Sequence, residues 1–194
     1  MKKIVEKILR DSVNVKEKFI RDNASNIILL AEKIVLAFTN DRKLMLCGNG
    51  GSAADAQHIA GEFVNRFLME RPPLPAIALT TDTSIITCIG NDYSFNDIFA
   101  KQIKAIGVES DILLAISTSG NSPNILAAVE TAKNQGIYTV ALCGQDGGSL
   151  VSIADSALVV KSDSTPRIQE THILVGHIVC QLVDYILFQQ GTDN

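Results

Sequence analysis

Apolar positions recur at helical spacing through the amino-terminal region. Ile4, Val5, Ile8, Leu9, Val15 and Phe19 draw one stripe between about Lys2 and Asp22; Ile27, Ile28, Leu30, Ile34 and Val35 draw another between Ala24 and Phe38. Each stripe fits one face of an amphipathic helix, so two amino-terminal helices are predicted. The pattern then changes to short, continuous apolar runs. Lys43 to Cys47, Ala76 to Leu79, Ile112 to Ile116, Tyr138 to Leu142 and Ala157 to Val160 read as five buried strands. Helical stretches at Ser84 to Ile89, Asn96 to Ile106 and Pro123 to Gln135, and a closing helix from about Pro166 to Gln190, separate or follow most of them. Strands alternating with helices predict an α/β fold with a mostly parallel five-stranded sheet covered on both faces, its ligands gathered beyond the carboxyl ends of the strands.

The most apolar segment, Ile173 to Phe188, carries His177, Gln181 and Asp184 at i, i+4 and i+7. That polar stripe predicts a buried helix of the core instead of a membrane span. With 194 residues, 46% of them hydrophobic, the chain can fill one core and is short for two. A single domain over 1–194 is expected, its first 40 or so residues a helical extension. A formal charge of -4 and the lack of a basic stripe interleaved with aromatics argue against nucleic acid. Cys47, Cys88, Cys143 and Cys180 fall in apolar surroundings without a CxxC pair, which argues against a zinc ribbon or disulfide framework and for buried thiols in a reducing cytosol. Glu6, Lys7, Arg10 and Asp11 interrupt the apolar run that a signal peptide needs.

Two loops at strand ends carry the chemistry. Gly48-Asn49-Gly50-Gly51-Ser52 follows the first strand, with Ser52 the expected N-cap of the next helix. On that helix His58 and Glu62 lie about 40° apart on one face, one turn along, a spacing that suits a shared ion or substrate as well as a plain i, i+4 pair. Ser117-Thr118-Ser119-Gly120-Asn121-Ser122 follows the third strand, with Ser122 as N-cap and Pro123 at the first helical position. Hydroxyls, free amides and a positive helix end make a phosphate cradle. The first loop also satisfies G-x-G-x-x-A, but the acidic residue of a dinucleotide site is due about 20 residues on, and Asp82 comes more than 30 residues after Gly48. A small polar substrate fits better than a nucleotide.

The last helix adds Gln169, His172 and His177, so that imidazole, carboxylate and an amide oxygen offer a zinc set. Gln169 and His177 are eight residues apart, about 12 Å along a helix, whereas zinc ligands sit about 2 Å from the ion. Both can reach one ion only if their side chains converge, the helix starts irregularly, or one belongs to another subunit.

Cys47 to His58, Gly61-Glu62-Phe63, Arg71 to Leu79, Gly90-Asn91-Asp92, Ala115 to Ser122 and Arg167-Ile168-Gln169-Glu170 together resemble the sugar isomerase (SIS) domain family, in its phosphoheptose isomerase branch. The resemblance covers nearly the whole chain. It implies a three-layer αβα sandwich of SIS type and a cytoplasmic homotetramer that interconverts sedoheptulose 7-phosphate and D-glycero-D-manno-heptose 7-phosphate, feeding ADP-heptose and lipopolysaccharide core synthesis. It implies one zinc per subunit at His58, Glu62, Gln169 and His177, with Glu62 and His177 as base and acid. It implies substrate contacts from Asn49, Gly50, Gly51, Ser52, Glu62, Asn91, Asp92, Ser117, Thr118, Ser119, Ser122 and Gln169, in a site that can span two chains. No membrane partner is implied. Pro166 stands where some members carry an acidic residue, so no substrate role is expected there. The alternatives are a non-catalytic SIS protein that associates with the replication initiator and lacks the acid/base residues this chain has at Glu62 and His177, and an isomerase for another phosphosugar.

Overall fold

In the computed structural model, which describes residues 1–189, five strands form one sheet: β1 (Leu44–Gly48), β2 (Ala76–Ala78), β3 (Ile112–Ser117), β4 (Tyr138–Gly144) and β5 (Ser156–Val160). The order is β2-β1-β3-β4-β5 and every neighbouring pair is parallel. Strand residues divide between the two faces as the pleat requires. Leu44, Leu46, Ile112, Leu114, Ile116, Val140 and Leu142 share one core with α1 (Lys2–Thr39), α2 (Gly51–Val64) and α7 (Thr165–Asp184). Met45, Cys47, Leu113, Ala115, Ala141 and Cys143 share the other with α3 (Thr83–Asp92), α4 (Ile98–Ile106), α5 (Pro123–Asn134) and α6 (Gly148–Ile153). The expected three layers are present, with α2 and α7 adjacent on one side of the sheet.

The two amino-terminal helices are one. The apolar stripe does not break: Phe19, Ile27, Leu30 and Ile34 are buried along a single helical line, and the side-chain Nδ2 of Asn23 donates to the Phe19 carbonyl one turn back at 2.9 Å. No Gly or Pro between Asp22 and Ala24 forces a stop, so packing carries the helix through. The helix α6 has six residues, too few for a helical period to register in the sequence. Cys47, Cys143 and Cys180 are buried, and burial pushes the Cys47 and Cys143 thiols up to about 12. Cys88 departs from expectation and is exposed on α3.

The closing helix is long and apolar enough to cross a membrane by length and composition. In the fold, α7 buries Ile168, Val175, Val179 and Val183 against the sheet and α1, together with His172 and Asp184. Its last turn, Tyr185–Gln189, is π-helical, and Gln190, the expected helix end, lies outside the described residues.

Candidate active site

The connection direction reverses at β1, whose neighbours β2 and β3 lie on opposite sides, and such a switch point opens a crevice at the carboxyl ends of the strands. Both expected loops flank it. Gly48 lies opposite Ile116 in the β1–β3 register, so the glycine loop and the serine loop leave the sheet side by side. Asn49 and Asn124 join them, each amide nitrogen donating to the other's carbonyl oxygen at 2.8 Å.

Within the glycine loop, Gly50 holds a left-handed φ of 55° and occupies the N-cap position of α2. That turn starts the helix earlier than expected, so Ser52 is not the cap; it is buried inside the first turn. The Gln169 amide fills the space that a β-carbon on Gly51 would need. The first turn of α7 therefore rests against the first turn of α2.

In the serine loop, Ser122 takes the N-cap position of α5 with Pro123 following, but its side chain makes no capping bond. Its Oγ lies 3.4 Å from Ser117 Oγ. Ser117 Oγ accepts the Gly120 amide at 3.1 Å, and Ser119 Oγ accepts the Asn121 amide at 3.2 Å. Ser119 keeps its hydrogen to donate, and the Ser117–Ser122 pair, in which either hydroxyl can donate to the other, keeps one hydrogen free beside the positive end of a 12-residue helix. The cradle suits a phosphate dianion. Asn91 and Asp92 end α3, exposed, with the Asn91 amide donating to Asp92 at 2.8 Å; among the described residues no hydrogen bond ties them to either loop or to the histidines.

On α2 and α7, His58, Glu62 and His177 bring one donor atom each to within 4.8 Å of one another. His58 Nε2 is 2.9 Å from His177 Nε2 and 3.2 Å from Glu62 Oε1. Two imidazoles and a carboxylate are a common open zinc set, and ligands of a tetrahedral ion at about 2.05 Å stand about 3.3 Å apart. The donors and their spacing fit such an ion. Phe67 stacks on the His177 ring, centroids 5.6 Å apart. Sequence reasoning missed this residue, and only its aromatic character just beyond α2 offered a signal. Asp55, one turn before His58, is held up by burial against the opposing pull of the His58 charge.

His172 is not part of this set. It is buried, its Nε2–H donates to the Cys143 carbonyl at 3.1 Å, and burial pushes it down to about 4. The Gln169 side chain stands at the glycine loop, two helical turns before His177, and among the expected metal residues His58, Glu62 and His177 meet within a single chain. Asp82, the acidic residue weighed for a nucleotide, caps α3 by accepting the Ile85 amide at 2.8 Å.

The SIS domain family model matches residues 9–144. The chain is 50% identical to a phosphoheptose isomerase of Nitratidesulfovibrio vulgaris over 97% of its own length and 90% of that protein. It is 48% identical to the Clostridium acetobutylicum phosphoheptose isomerase over 100% of both chains. The solved phosphoheptose isomerase structure from Francisella tularensis superposes with a TM-score of 0.91 at 43% identity, over 94% of this chain and 97% of that one.

Proposed function

The chain belongs to the SIS domain family, among its phosphoheptose isomerases, and from that premise we propose how it interconverts sedoheptulose 7-phosphate and D-glycero-D-manno-heptose 7-phosphate. The carrying observation is the meeting of Glu62 and His177 on His58 at the α2–α7 seam.

Ketose–aldose exchange moves a proton between adjacent carbons through an enediol, which needs a base, an acid and stabilisation of oxyanion charge. Glu62 removes the proton from C1 of the ketose while His177 protonates the carbonyl oxygen at C2. The enediol then gives its O1 proton to His177 and receives the proton at C2 from Glu62, so both groups return to their starting states. Ser117, Thr118, Ser119 and Ser122 hold the phosphate, which anchors the sugar's far end and fixes the reacting carbons. Asn49, Gly50, Gly51, Ser52 and Gln169 line the sugar, with Asn91 and Asp92 supplying polar contacts from α3. His58, Glu62 and His177, with Gln169 completing the set from the loop end of α7 or from a second subunit, would hold zinc, whose Lewis acidity would act at the carbonyl. Because the ion weakens a bound carboxylate as a base and leaves a bound imidazole no proton, Glu62 and His177 would loosen from it for proton transfer.

A homotetramer is proposed with this activity. Its support is the apolar face of α1, where Ile4, Val5, Ile8 and Leu9 are 47 to 66% exposed. Cytoplasmic residence is supported by the four free thiols, and the product is read as feeding ADP-heptose and lipopolysaccharide core synthesis.

A coupled assay with purified protein and C5, C6 and C7 ketose phosphates tests the reading. Turnover is expected to favour sedoheptulose 7-phosphate; a preference for a shorter phosphosugar, or no turnover of any, would overturn the assignment. Elemental analysis of the same preparation, purified without added metal, should find about one zinc per chain.

A further inference from the structure

Arg71 opens the extended Arg71-Pro72-Pro73-Leu74-Pro75 run, yet its side chain is only 1% exposed. A buried guanidinium requires partners on every edge. Nε donates to Asp184 Oδ1 at 2.8 Å, Nη2 donates to the Glu62 carbonyl at 2.8 Å, and Nη1 donates to the Phe63 carbonyl at 2.7 Å. The Pro72 and Asn65 carbonyls accept longer bonds from Nη1, at 3.1 and 3.3 Å. Glu62, Phe63 and Asn65 present the carbonyls that the end of α2 leaves without helical partners, and the negative helix end favours a cation there.

Asp184 ends α7 with a side chain 4% exposed. It follows His177 by seven residues, so the two lie within about 20° of each other around the helix. One guanidinium therefore grips the peptide of Glu62 on α2 and the face of α7 that presents His177.

We propose that Arg71 and Asp184 form a positioning pair that sets the distance between Glu62 and His177 across the α2–α7 seam. The inference rests on the assignment of those two residues as base and acid. A contribution to fold stability alone does not account for the pair. Buried ion pairs are commonly replaced by apolar side chains at no loss of stability, and Asp184 Oδ2 is buried without a partner, which costs stability. The pair instead constrains groups that touch the reacting atoms and the ion, and residues that orient metal ligands from behind typically govern about 10- to 100-fold in affinity or rate.

The test compares wild type, Asp184→Asn and the double variant Arg71→Met/Asp184→Leu by three readouts: kcat and KM for sedoheptulose 7-phosphate, Co2+ titration followed by its visible absorption, and melting temperature. The double variant is expected to melt within a few degrees of wild type. Its kcat should fall at least about tenfold and its Co2+ affinity about 10- to 100-fold, with KM within about threefold because the phosphate cradle stands on other elements. A folded double variant with wild-type kcat and Co2+ affinity overturns the proposal. If the double variant does not fold, the same criterion is applied to folded Asp184→Asn. Absence of turnover in wild type would refute the assigned reaction, and the Co2+ titration would still decide the role of the pair.

Discussion

The side-chain amides of Asn49 and Asn124 bond each other reciprocally at 2.8 Å, locking the loop after β1 to the first turn of α5. Asn124 is buried, so its removal leaves both polar atoms of the Asn49 amide without their protein partner. Asn124→Ala is expected to destabilise the fold by about 1 to 2 kcal/mol. The two loops should then hold the sugar and its phosphate less firmly, raising KM several-fold while kcat changes less, because the amide pair does not touch Glu62 or His177. Denaturant unfolding and steady-state kinetics measure the two effects, and an unaltered KM would remove the proposed coupling of the loops.

Gly51 serves by leaving room. A β-carbon there collides with the amide of Gln169, the free end of a flexible side chain that can swing away. Gly51→Ala should therefore fold with a melting temperature close to wild type and still displace Gln169 from the glycine loop. A fall in kcat/KM of about tenfold, or about 1.4 kcal/mol, is expected. Full activity would show that Gln169 has no part in the reaction.

Glu62→Gln keeps the size of the side chain and removes its basicity. If Glu62 moves the substrate proton, kcat should fall at least about 100-fold, the lower range for loss of a positioned acid or base. The backbone bond from Arg71 to residue 62 does not depend on the side chain, so the α2–α7 seam should persist. Exchange of the substrate's C1 hydrogen with solvent provides an independent readout. Retained exchange in this variant would sink the assignment.

Local sequence disclosed the strands, both loops and the His58–Glu62 pair, because strand burial, turn chemistry and the i, i+4 relation act over a few residues. The joining of α1 was hidden, since Asn23 and Ser25 resemble a helix stop while the packing of Phe19 and Ile27 against the sheet overrides them. The placement of His177 beside His58, 119 positions away, depends on how α2 and α7 pack and has no local signature. Family resemblance supplied that pairing. The same distance hid Arg71 and Asp184: in sequence one is a loop cation and the other a member of a polar stripe, and only the fold unites them.

His172 predicts a pH dependence separate from catalysis. Its Nε2–H donates to the Cys143 carbonyl, while Nδ1 is buried without a partner, so protonation would create a buried donor and a buried charge. Burial accordingly pushes the imidazole down from 6.5 to about 4 in the folded protein. Between those values the unfolded chain binds more protons than the folded one, so stability rises with pH. The contribution is complete above about pH 6.5 and is lost progressively as pH falls toward 4, a span of about 3 kcal/mol. Glu170 and Asp155, whose carboxyls are held below their usual range by hydrogen bonds and neighbouring cations that outweigh burial, add losses that begin at lower pH. Subtracting a His172→Leu variant separates the imidazole from them. Denaturant unfolding of both proteins from pH 7.5 to 4.5 should show wild type losing stability relative to the variant as pH falls below about 6.5, because only wild type has His172 to protonate on unfolding, His58 and His177 being common to both. Parallel curves over that interval would show that His172 titrates alike in the folded and unfolded chains.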